Sequence, residues 1–235
     1  RGPGGRASSR DWKGQTVDHA CQIVTARTPS FAQFMQGLVK QDAATLLDAA
    51  AERLVAQGYT ATTLREIAAD IGIKAGSIYH HFESKEDLFI EVFSRGIEVM
   101  VDAFGDVEIA TNGCDSESDR LEAHVRAHLG ALFEHGSFTA AHVTAFFTAP
   151  EELRSAIVPL RDDYEHRWNA LLADVLPELD SARLPIARLF LFGAMNTTIE
   201  WFDLSGDLSL DGLANLITVQ FLEGVHALNL QRSTP

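Results

Sequence analysis

The sequence predicts an all-α protein in which an N-terminal three-helix domain with a helix-turn-helix precedes a larger helical C-terminal domain. Apolar residues recur at three- and four-residue steps from about residue 31 onward, which is the spacing of one buried helix face. Residues that start and end helices separate these runs, and no segment shows the strict alternation of a half-buried strand. With 46% hydrophobic and 22% charged residues, the chain has the composition of an ordinary globular protein.

Composition and periodicity divide the chain into three segments. Residues 1–36 are rich in Gly, Ser, Arg and Thr and lack sustained periodicity, so we predict a flexible N-terminal arm. The three-helix domain is expected at 37–85 and the larger helical domain at 86–235.

Helix boundaries in the first domain follow from capping residues. The first helix is expected from about Phe31 until Gly58 interrupts its apolar pattern. Thr63, with Glu66 three positions later, forms the reciprocal capping pattern that opens a second helix. Gly72 is expected to end this helix in the left-handed conformation that glycine adopts readily.

Later helices are predicted in the same way. A third helix is expected over Ala75–His81, and Ser84 followed by acidic residues predicts the start of a fourth helix, which reaches about residue 104. After a polar break, helical patterns recur at about 120–135, 138–148, 151–175, 183–202 and 209–229.

Charge and cysteine content limit the class of protein. The net charge is −14, but residues 96–235 hold 22 acidic against eight basic side chains, so the acidity lies mainly in the C-terminal part. DNA binding by the N-terminal part stays compatible with this charge because it depends on local phosphate contacts. Two cysteines, Cys21 and Cys114, support neither a disulfide framework nor a zinc module, and no apolar run suggests secretion or membrane insertion. We therefore expect a cytoplasmic protein without a cofactor.

The segment from Thr63 to Phe82 has the pattern of a helix-turn-helix. Small and apolar side chains are expected to fix the crossing of its two helices: Ile67, Ala68, Ile71, Ile73, Ile78 and Phe82. The remaining residues of the second helix are short or polar and would face the major groove: Lys74, Gly76, Ser77, Tyr79 and His80.

About fifty residues of this region resemble the TetR family of transcriptional regulators. The resemblance is carried by Gly58-Tyr59-x-x-Thr62-Thr63-Leu64-Arg65-Glu66-Ile67-Ala68 and by Ile73-x-x-Gly76-Ser77-Ile78-Tyr79-His80-His81-Phe82-x-Ser84-Lys85-Glu86-x-Leu88. It implies that 73–82 is the recognition unit and that Thr63, Tyr79, His80 and Lys85 contact the DNA backbone. We expect Arg65, Lys74 and Ser77 to read base edges. Thr62 and Gly76 complete the predicted DNA-binding set.

Two C-terminal helices carry more apolar residues than one monomer's core would use. Phe190, Phe192 and Leu216 lie off the main apolar stripes of the segments 183–202 and 209–229. A four-helix interface between two subunits explains this excess, and the TetR resemblance implies the same arrangement. A homodimer would place two recognition helices about one DNA turn apart and would bind a palindromic operator.

Part of the C-terminal domain is similar to TetR repressors of steroid and fatty-acid catabolism, several of which sense acyl-CoA thioesters. The similarity is carried by Tyr164-Glu165-x-x-Trp168, Gly193-Ala194-x-Asn196 and Glu200-Trp201-Phe202, whereas Ile199, Asp203 and Leu204 depart from the pattern. It implies a ligand-released repressor with a small hydrophobic effector. The predicted ligand-binding residues are Phe146, Phe147, Arg161, Tyr164, Trp168, Asn196 and Glu200.

The sequence supports metal binding and enzymatic activity less well. His124, His128 and His135 share one side of a predicted helix and His142 follows, but apolar residues on the same face favour histidines of the core or surface over a metal site. Control by a protein partner or a metal is the alternative to an organic ligand. The sequence contains no nucleophile elbow, phosphate loop or paired-acid signature, so no enzymatic activity is expected.

Overall fold

The computed structural model describes the backbone of residues 9–12, 15–18, 29–113, 116–134 and 136–230, and the side chains of 43–113, 116–134 and 136–227. The chain divides into two compact units, residues 1–44 and residues 45–235.

The first unit contains a short hairpin that the sequence did not predict. Strand β1 (Ser9–Trp12) pairs antiparallel with β2 (Gln15–Asp18), and Ser9 lies opposite Asp18. Neither strand alternates polar and apolar side chains, so no strand was predicted in the arm, and that prediction was wrong here. The same arm was predicted to reach residue 36, whereas helix α1 already begins at Pro29.

The described part of the chain beyond the hairpin is helical, as predicted. Residues 146–148 and 197–200 form short 3-10 turns that continue α6 and α8. The helices are α1 (Pro29–Ala61), α2 (Leu64–Asp70), α3 (Ala75–Ile78), α4 (Lys85–Ala110), α5 (Glu117–Glu134), α6 (Ser137–Ala145), α7 (Glu151–Val175), α8 (Leu184–Asn196) and α9 (Leu210–Leu230).

Local hydrogen bonds explain the bounds of α2. The Thr63 amide donates to Glu66 Oε2 at 3.0 Å and the Glu66 amide donates to Thr63 Oγ1 at 3.3 Å, so the predicted capping box is confirmed. Gly72 has φ 71°, and the Ile73 amide donates to the Ala68 carbonyl at 2.9 Å. This is the closing hydrogen bond of a glycine-terminated helix, because glycine takes a left-handed conformation without a steric penalty.

Two apolar clusters hold the second unit together. One joins the C-terminal part of α1 with α2, α3, the first half of α4, α6 and the start of α7, and the other joins the second half of α4 with α5, α7, α8 and α9. Helix α4 contributes to both clusters, so it connects the helix-turn-helix to the C-terminal helices. None of the helices in the described residues is long and apolar enough to cross a membrane.

Candidate functional site

The helix-turn-helix is braced by the side chains predicted from the sequence. Ile67 and Ile78 are fully buried and Ala68 is almost so, while Ile71, Ile73 and Phe82 are partly buried against the same cluster. Helix α3 is shorter than the predicted Ala75–His81 and ends at Ile78. The amides of His81 and Phe82 still donate to the Ile78 carbonyl, at 2.8 and 3.0 Å, so the following residues form one further tight turn.

Most of the predicted DNA-binding residues lie on the surface of this motif. Tyr79 is 59% exposed, and Ser77 is half-buried. The other members that the structure leaves exposed are Thr63, Arg65, Lys74, Gly76 and His80. Arg65, in the first turn of α2, and Lys74, just before α3, are exposed cations and supply the positive charge that phosphate binding needs.

Thr62 does not belong to this exposed set, which corrects its assignment. Its side chain is fully buried, and its hydroxyl donates to the Gly58 carbonyl at 2.8 Å. The residue therefore closes the end of α1, where Gly58 breaks the helix with φ 75°. Because the Thr62 hydroxyl already donates to the Gly58 carbonyl, it cannot donate to a DNA phosphate.

Lys85 is held against Tyr59 at the junction of α1 and α4. Its Nζ donates to the Tyr59 carbonyl oxygen at 2.7 Å and lies 4.0 Å from the centroid of the Tyr59 ring. The Tyr59 hydroxyl donates to Glu86 Oε1 at 2.7 Å, which helps to hold the pKa of Glu86 below its ordinary value. Burial lowers the pKa of Lys85 and raises that of Tyr59. These contacts give Lys85 a structural role besides the predicted phosphate contact.

An ion pair fastens α2 to α1. Arg53 donates through Nη2 to Asp70 Oδ1 at 2.8 Å and through Nε to the other carboxylate oxygen, and it also lies 3.5 Å from Glu66 Oε1. The hydrogen bond from Arg53 lowers the pKa of Asp70. Arg53 thus compensates one of the two negative charges of Glu66 and Asp70, so these acids oppose phosphate binding less than the sequence suggests.

A small buried pocket lies between α4, α5, α6, α7 and α8. Its volume is about 40 Å³, and its walls include Ile97 and Met100 of α4 and Phe192 of α8. The polar and charged side chains that line it come from four helices: His128, His142, Arg161, Tyr164, Glu165 and Asn196.

A hydrogen-bonded chain of three side chains crosses the pocket. The Tyr164 hydroxyl lies 2.9 Å from His128 Nδ1, and His128 Nε2 lies 2.9 Å from Asn196 Oδ1. Because the Asn196 oxygen only accepts, His128 Nε2 carries the proton and Nδ1 accepts from Tyr164. Burial lowers the pKa of His128 to about 4, so its imidazole is neutral at pH 7, and burial also raises the pKa of Tyr164.

Two arginines share one carboxylate at the edge of the pocket. Arg188 Nη1 lies 2.7 Å from Glu165 Oε2, and Arg161 Nη2 lies 3.5 Å from Glu165 Oε1. The Arg161 guanidinium also lies 4.4 Å from the ring centroid of Phe146 and 4.9 Å from that of Phe147. Burial lowers the pKa of Arg161. Within this group of three charges, one positive charge is left without a counterion.

The predicted ligand-binding residues are only partly brought together. Phe147, Arg161, Tyr164 and Asn196 line the pocket. Phe146 and Trp168 are buried behind its walls. The Phe146 ring packs against the Arg161 guanidinium, and the ring centroids of Trp168 and Phe192 lie 5.6 Å apart. Glu200 is exposed in the turn after α8 and is not among the residues that line the pocket, which corrects its assignment.

The lining residues that sequence reasoning did not assign to the ligand include His128 and His142. His128 was predicted to share one side of a helix with His124 and His135, with His142 following on the next helix, and these histidines were interpreted as core or surface residues rather than ligand contacts. His142 donates through Nδ1 to the Phe93 carbonyl at 3.2 Å and stacks on Phe146, and burial lowers its pKa to about 3. His135 lies outside the described residues. Among the residues that the structure describes, no group of three or more His, Cys, Asp or Glu side chains could hold a metal ion.

Helices α8 and α9 expose apolar side chains, as predicted for a subunit interface. Phe190, one of the residues predicted to lie off the main stripe, is 75% exposed. The other large exposed apolar side chains on these helices are Ile186, Leu189, Leu216 and Val219. Such a cluster on two neighbouring helices is typical of a surface covered by another protein chain.

Comparisons with known proteins agree with this architecture. Residues 46–92 match the family model of bacterial regulatory proteins of the tetR family, and 114–225 match the tetracyclin repressor-like C-terminal domain. The chain is 29% identical, over 77% of its length and 89% of the relative's, to the HTH-type transcriptional repressor KstR2 of Rhodococcus jostii.

Solved structures show the same fold. A TetR-family regulator from Bordetella parapertussis is 21% identical, covers 77% of this chain and 94% of its own, and superimposes with a TM-score of 0.69. The regulator FadR of Bacillus subtilis in complex with stearoyl-CoA is 22% identical, covers 77% of this chain and 97% of its own, and superimposes with a TM-score of 0.60. The two family models, which match the helix-turn-helix and most of the C-terminal helices, show that the chain belongs to the TetR family of transcriptional regulators.

Proposed function

We propose that this protein is a cytoplasmic repressor that binds a palindromic operator as a homodimer and is released from it by an acyl-CoA thioester. The observation that carries the proposal is the course of helix α4. Its first residues, Lys85 and Glu86, contact Tyr59 at the end of α1, which packs in the same apolar cluster as the helix-turn-helix, while Ile97 and Met100 line the pocket. A ligand that moves α4 would therefore also move the recognition helix.

The DNA side of the proposal rests on the exposed face of the helix-turn-helix. Arg65, Lys74 and Ser77 are the base readers, and Thr63, Tyr79, His80 and Lys85 contact phosphates. Pairing of two subunits through the apolar faces of α8 and α9 would set the two recognition helices roughly 34–36 Å apart along the DNA. A ligand that changes this spacing by a few ångströms would weaken binding, with a coupling on the order of 1–3 kcal/mol.

Replacing a base reader should weaken binding selectively. We expect Ser77→Ala or Lys74→Gln to cost about 1–3 kcal/mol on the operator and much less on unrelated DNA, because base contacts carry the sequence information. Fluorescence anisotropy with DNA from the region upstream of the protein's own gene measures both affinities. Arg183→Gln is the matched control, because Arg183 lies next to α8, far along the chain from the recognition helix, and pairs with Asp180. Equal losses on operator and unrelated DNA would contradict base reading by these residues.

The effector side rests on the uncompensated positive charge beside an aromatic pocket. Arg161 is placed between two phenylalanine rings and shares Glu165 with Arg188. An amphipathic anion would neutralise this charge and place its apolar part among Phe147, Met100 and Phe192. Acyl-CoA has this chemistry, and FadR, which shares the fold, was solved with stearoyl-CoA. The pocket of about 40 Å³ must widen to admit such a ligand.

Neutralising Arg161 should reduce the response to the effector without affecting DNA binding. We expect Arg161→Gln to raise the palmitoyl-CoA concentration needed for half-release about tenfold or more, since a hydrogen bond to a charged group contributes about 1.5–3 kcal/mol. Palmitate alone and coenzyme A alone are titrated in parallel with palmitoyl-CoA. They show whether release requires the intact thioester or only one of its two anionic parts. The matched control is Arg167→Gln, on the same helix but paired with Asp163 in an i,i+4 ion pair.

An unchanged response in Arg161→Gln would contradict the proposed effector site. Equal release of the DNA by palmitate would contradict the proposal that the effector is a thioester. If none of the three compounds releases the DNA, control by a protein partner or a metal becomes the better explanation.

A further inference from the structure

His142 belongs both to the effector pocket and to the contact between α6 and α4. Its side chain is 5% exposed and lines the pocket. Its Nδ1 donates to the carbonyl oxygen of Phe93, which lies in the first half of α4. Within the described residues, no other side-chain hydrogen bond joins the pocket lining to the backbone of α4.

Helices α4 and α6 are in close contact around this hydrogen bond. A Cβ at Gly96 would lie 2.9 Å from Cβ of His142, and the Phe93 ring meets the His142 ring edge-on with centroids 6.2 Å apart. Closely packed surfaces transmit a push from one helix to the next. They resist separation only weakly, whereas a hydrogen bond opposes it along a defined direction. A movement of α6 in either direction is therefore expected to reach α4 through His142.

A stack of side chains connects His142 to the proposed anion site. The Arg161 guanidinium lies over the Phe146 ring. The Phe146 ring in turn stacks on the His142 ring, with centroids 5.3 Å apart and 21° between the ring planes. We call these three residues the Arg161–Phe146–His142 stack. Phe146 is buried, so its ring cannot move far without moving its neighbours.

The effector of the proposed function would act on this stack in two ways. Its anionic group would attract Arg161, which weakens the cation–π contact with Phe146. Its acyl group needs more space than the pocket of about 40 Å³ offers, and the wall that α6 contributes is formed by His142 and Val143. Both effects displace α6 relative to its position in the effector-free protein.

From these contacts we propose that His142 is a positioning residue for effector release: its hydrogen bond to the Phe93 carbonyl transmits the movement of the pocket wall to α4 and so to the helix-turn-helix. The inference rests on the proposed function, because it takes release by an acyl-CoA as its starting point. The competing explanation is a direct push on α4 through Ile97 and Met100, which also line the pocket. In that case the hydrogen bond would contribute nothing to release.

The test measures the effect of the effector on DNA affinity separately from effector binding. Calorimetry on the full chain shows whether palmitoyl-CoA binds without DNA, and fluorescence anisotropy gives the operator affinity with and without saturating palmitoyl-CoA. The ratio of these two operator affinities is the coupling, which we expect to be about 5–150-fold in the wild type. Saturation makes this ratio independent of any change in the affinity for palmitoyl-CoA.

Removing the donor of His142 should remove the coupling. His142→Phe keeps an aromatic ring against Phe146 but cannot donate to the Phe93 carbonyl, so the coupling should fall to within about twofold of one. His142→Asn is the conservative variant, because its side-chain amide nitrogen can take the place of Nδ1, and it should retain the coupling. Phe146→Leu removes the middle ring of the stack and should also lower the coupling, even if His142→Phe does not fold.

The matched control is His124→Phe. His124 is also buried and donates through Nδ1 to a backbone carbonyl, at 2.8 Å. That carbonyl belongs to Arg120 on the same helix, and His124 is not among the residues that line the effector pocket. The coupling of this variant should equal that of the wild type.

The outcomes separate the inference from the proposed function. Full coupling in His142→Phe or in Phe146→Leu would overturn the inference alone, because the wild type would still be released by palmitoyl-CoA. Loss of coupling in His142→Asn or in His124→Phe would also overturn it, since release would then depend on packing in general and not on this hydrogen bond. A wild-type protein that palmitoyl-CoA does not release from the operator would contradict the proposed function, and the inference would fall with it.

Discussion

Lowering the pH from about 7.5 to about 4.5 is expected to reduce the free energy of unfolding by up to about 5 kcal/mol through two buried histidines. Burial is the first cause at both: the pKa falls from 6.5 to about 4 for His128 and to about 3 for His142. Arg161 lowers the pKa of His142 further. Both imidazoles therefore stay neutral in the folded protein well below the pH at which they take up a proton in the unfolded chain.

The sign of the effect follows from proton uptake. Below about pH 6.5 the unfolded chain binds a proton at each histidine, whereas the folded protein binds none until the pH approaches 4 at His128 and 3 at His142. The unfolded state then binds more protons, so stability falls as the pH falls, by about 2.5 kcal/mol per histidine at pH 4.5. Glu66, Asp70 and Glu86, whose pKa values are also lowered, begin to lose their contribution near the ordinary carboxyl pKa, about 4.5 for Glu and 3.8 for Asp, and lose more of it at lower pH.

Urea unfolding at a fixed protein concentration, followed at several pH values, measures this slope. His128→Gln and His142→Gln should each remove about 2.5 kcal/mol of the loss between pH 7.5 and 4.5, because glutamine does not titrate. His166→Gln, at an exposed position, is the control and should leave the slope unchanged. A wild-type protein equally stable at both ends of this range would show that the two imidazoles are protonated in the fold.

Gly96→Ala is expected to cost about 1–3 kcal/mol or more of stability by forcing α4 away from α6. A Cβ at Gly96 would lie 2.5 Å from the carbonyl oxygen of Phe138 and 2.9 Å from Cβ of His142. The first of these atoms belongs to the backbone of α6, so a rotamer change cannot relieve the clash. Because His142 belongs to the pocket lining, the effector response should weaken as well.

The matched control is Gly105→Ala on the same helix. A Cβ there meets nothing within 4 Å, so the change should stabilise α4 by about 0.5–1 kcal/mol through the higher helix propensity of alanine. Thermal unfolding of the two variants and the wild type separates the effect of close packing at Gly96 from the effect of helix propensity. Similar stability of the two variants would show that α4 and α6 do not approach as closely at Gly96 as described.

Features that depend on neighbouring residues could be predicted from the sequence. The capping box of Thr63 and Glu66, the glycine end of α2 at Gly72 and the brace of Ile67, Ala68 and Ile78 all involve contacts within about fifteen residues. Their geometry is dictated by backbone hydrogen bonding and helix periodicity, which any chain with this spacing must obey. The helix-turn-helix was therefore predictable almost residue by residue.

Assignments of single side chains were less predictable, even within that motif. Thr62 was predicted to bind DNA together with its neighbour Thr63. The break of α1 at Gly58 instead turns the Thr62 hydroxyl inward to a backbone carbonyl. Lys85 was expected to contact the DNA backbone, and nothing in the sequence indicates that its amine also donates to the carbonyl of Tyr59, 26 residues earlier. Both outcomes depend on where an earlier helix ends in space.

The sequence by itself determined the helical architecture that follows the N-terminal hairpin, the position of the recognition helix and the excess of apolar surface on the last two helices, because these depend on periodicity and local caps. Only the tertiary structure decided which side chains form the pocket. His128, Tyr164 and Asn196 come from three helices separated by tens of residues, and they meet because α5, α7 and α8 pack at specific crossings. Those crossings arise from the fit of many side chains at once, which no spacing along one helix encodes.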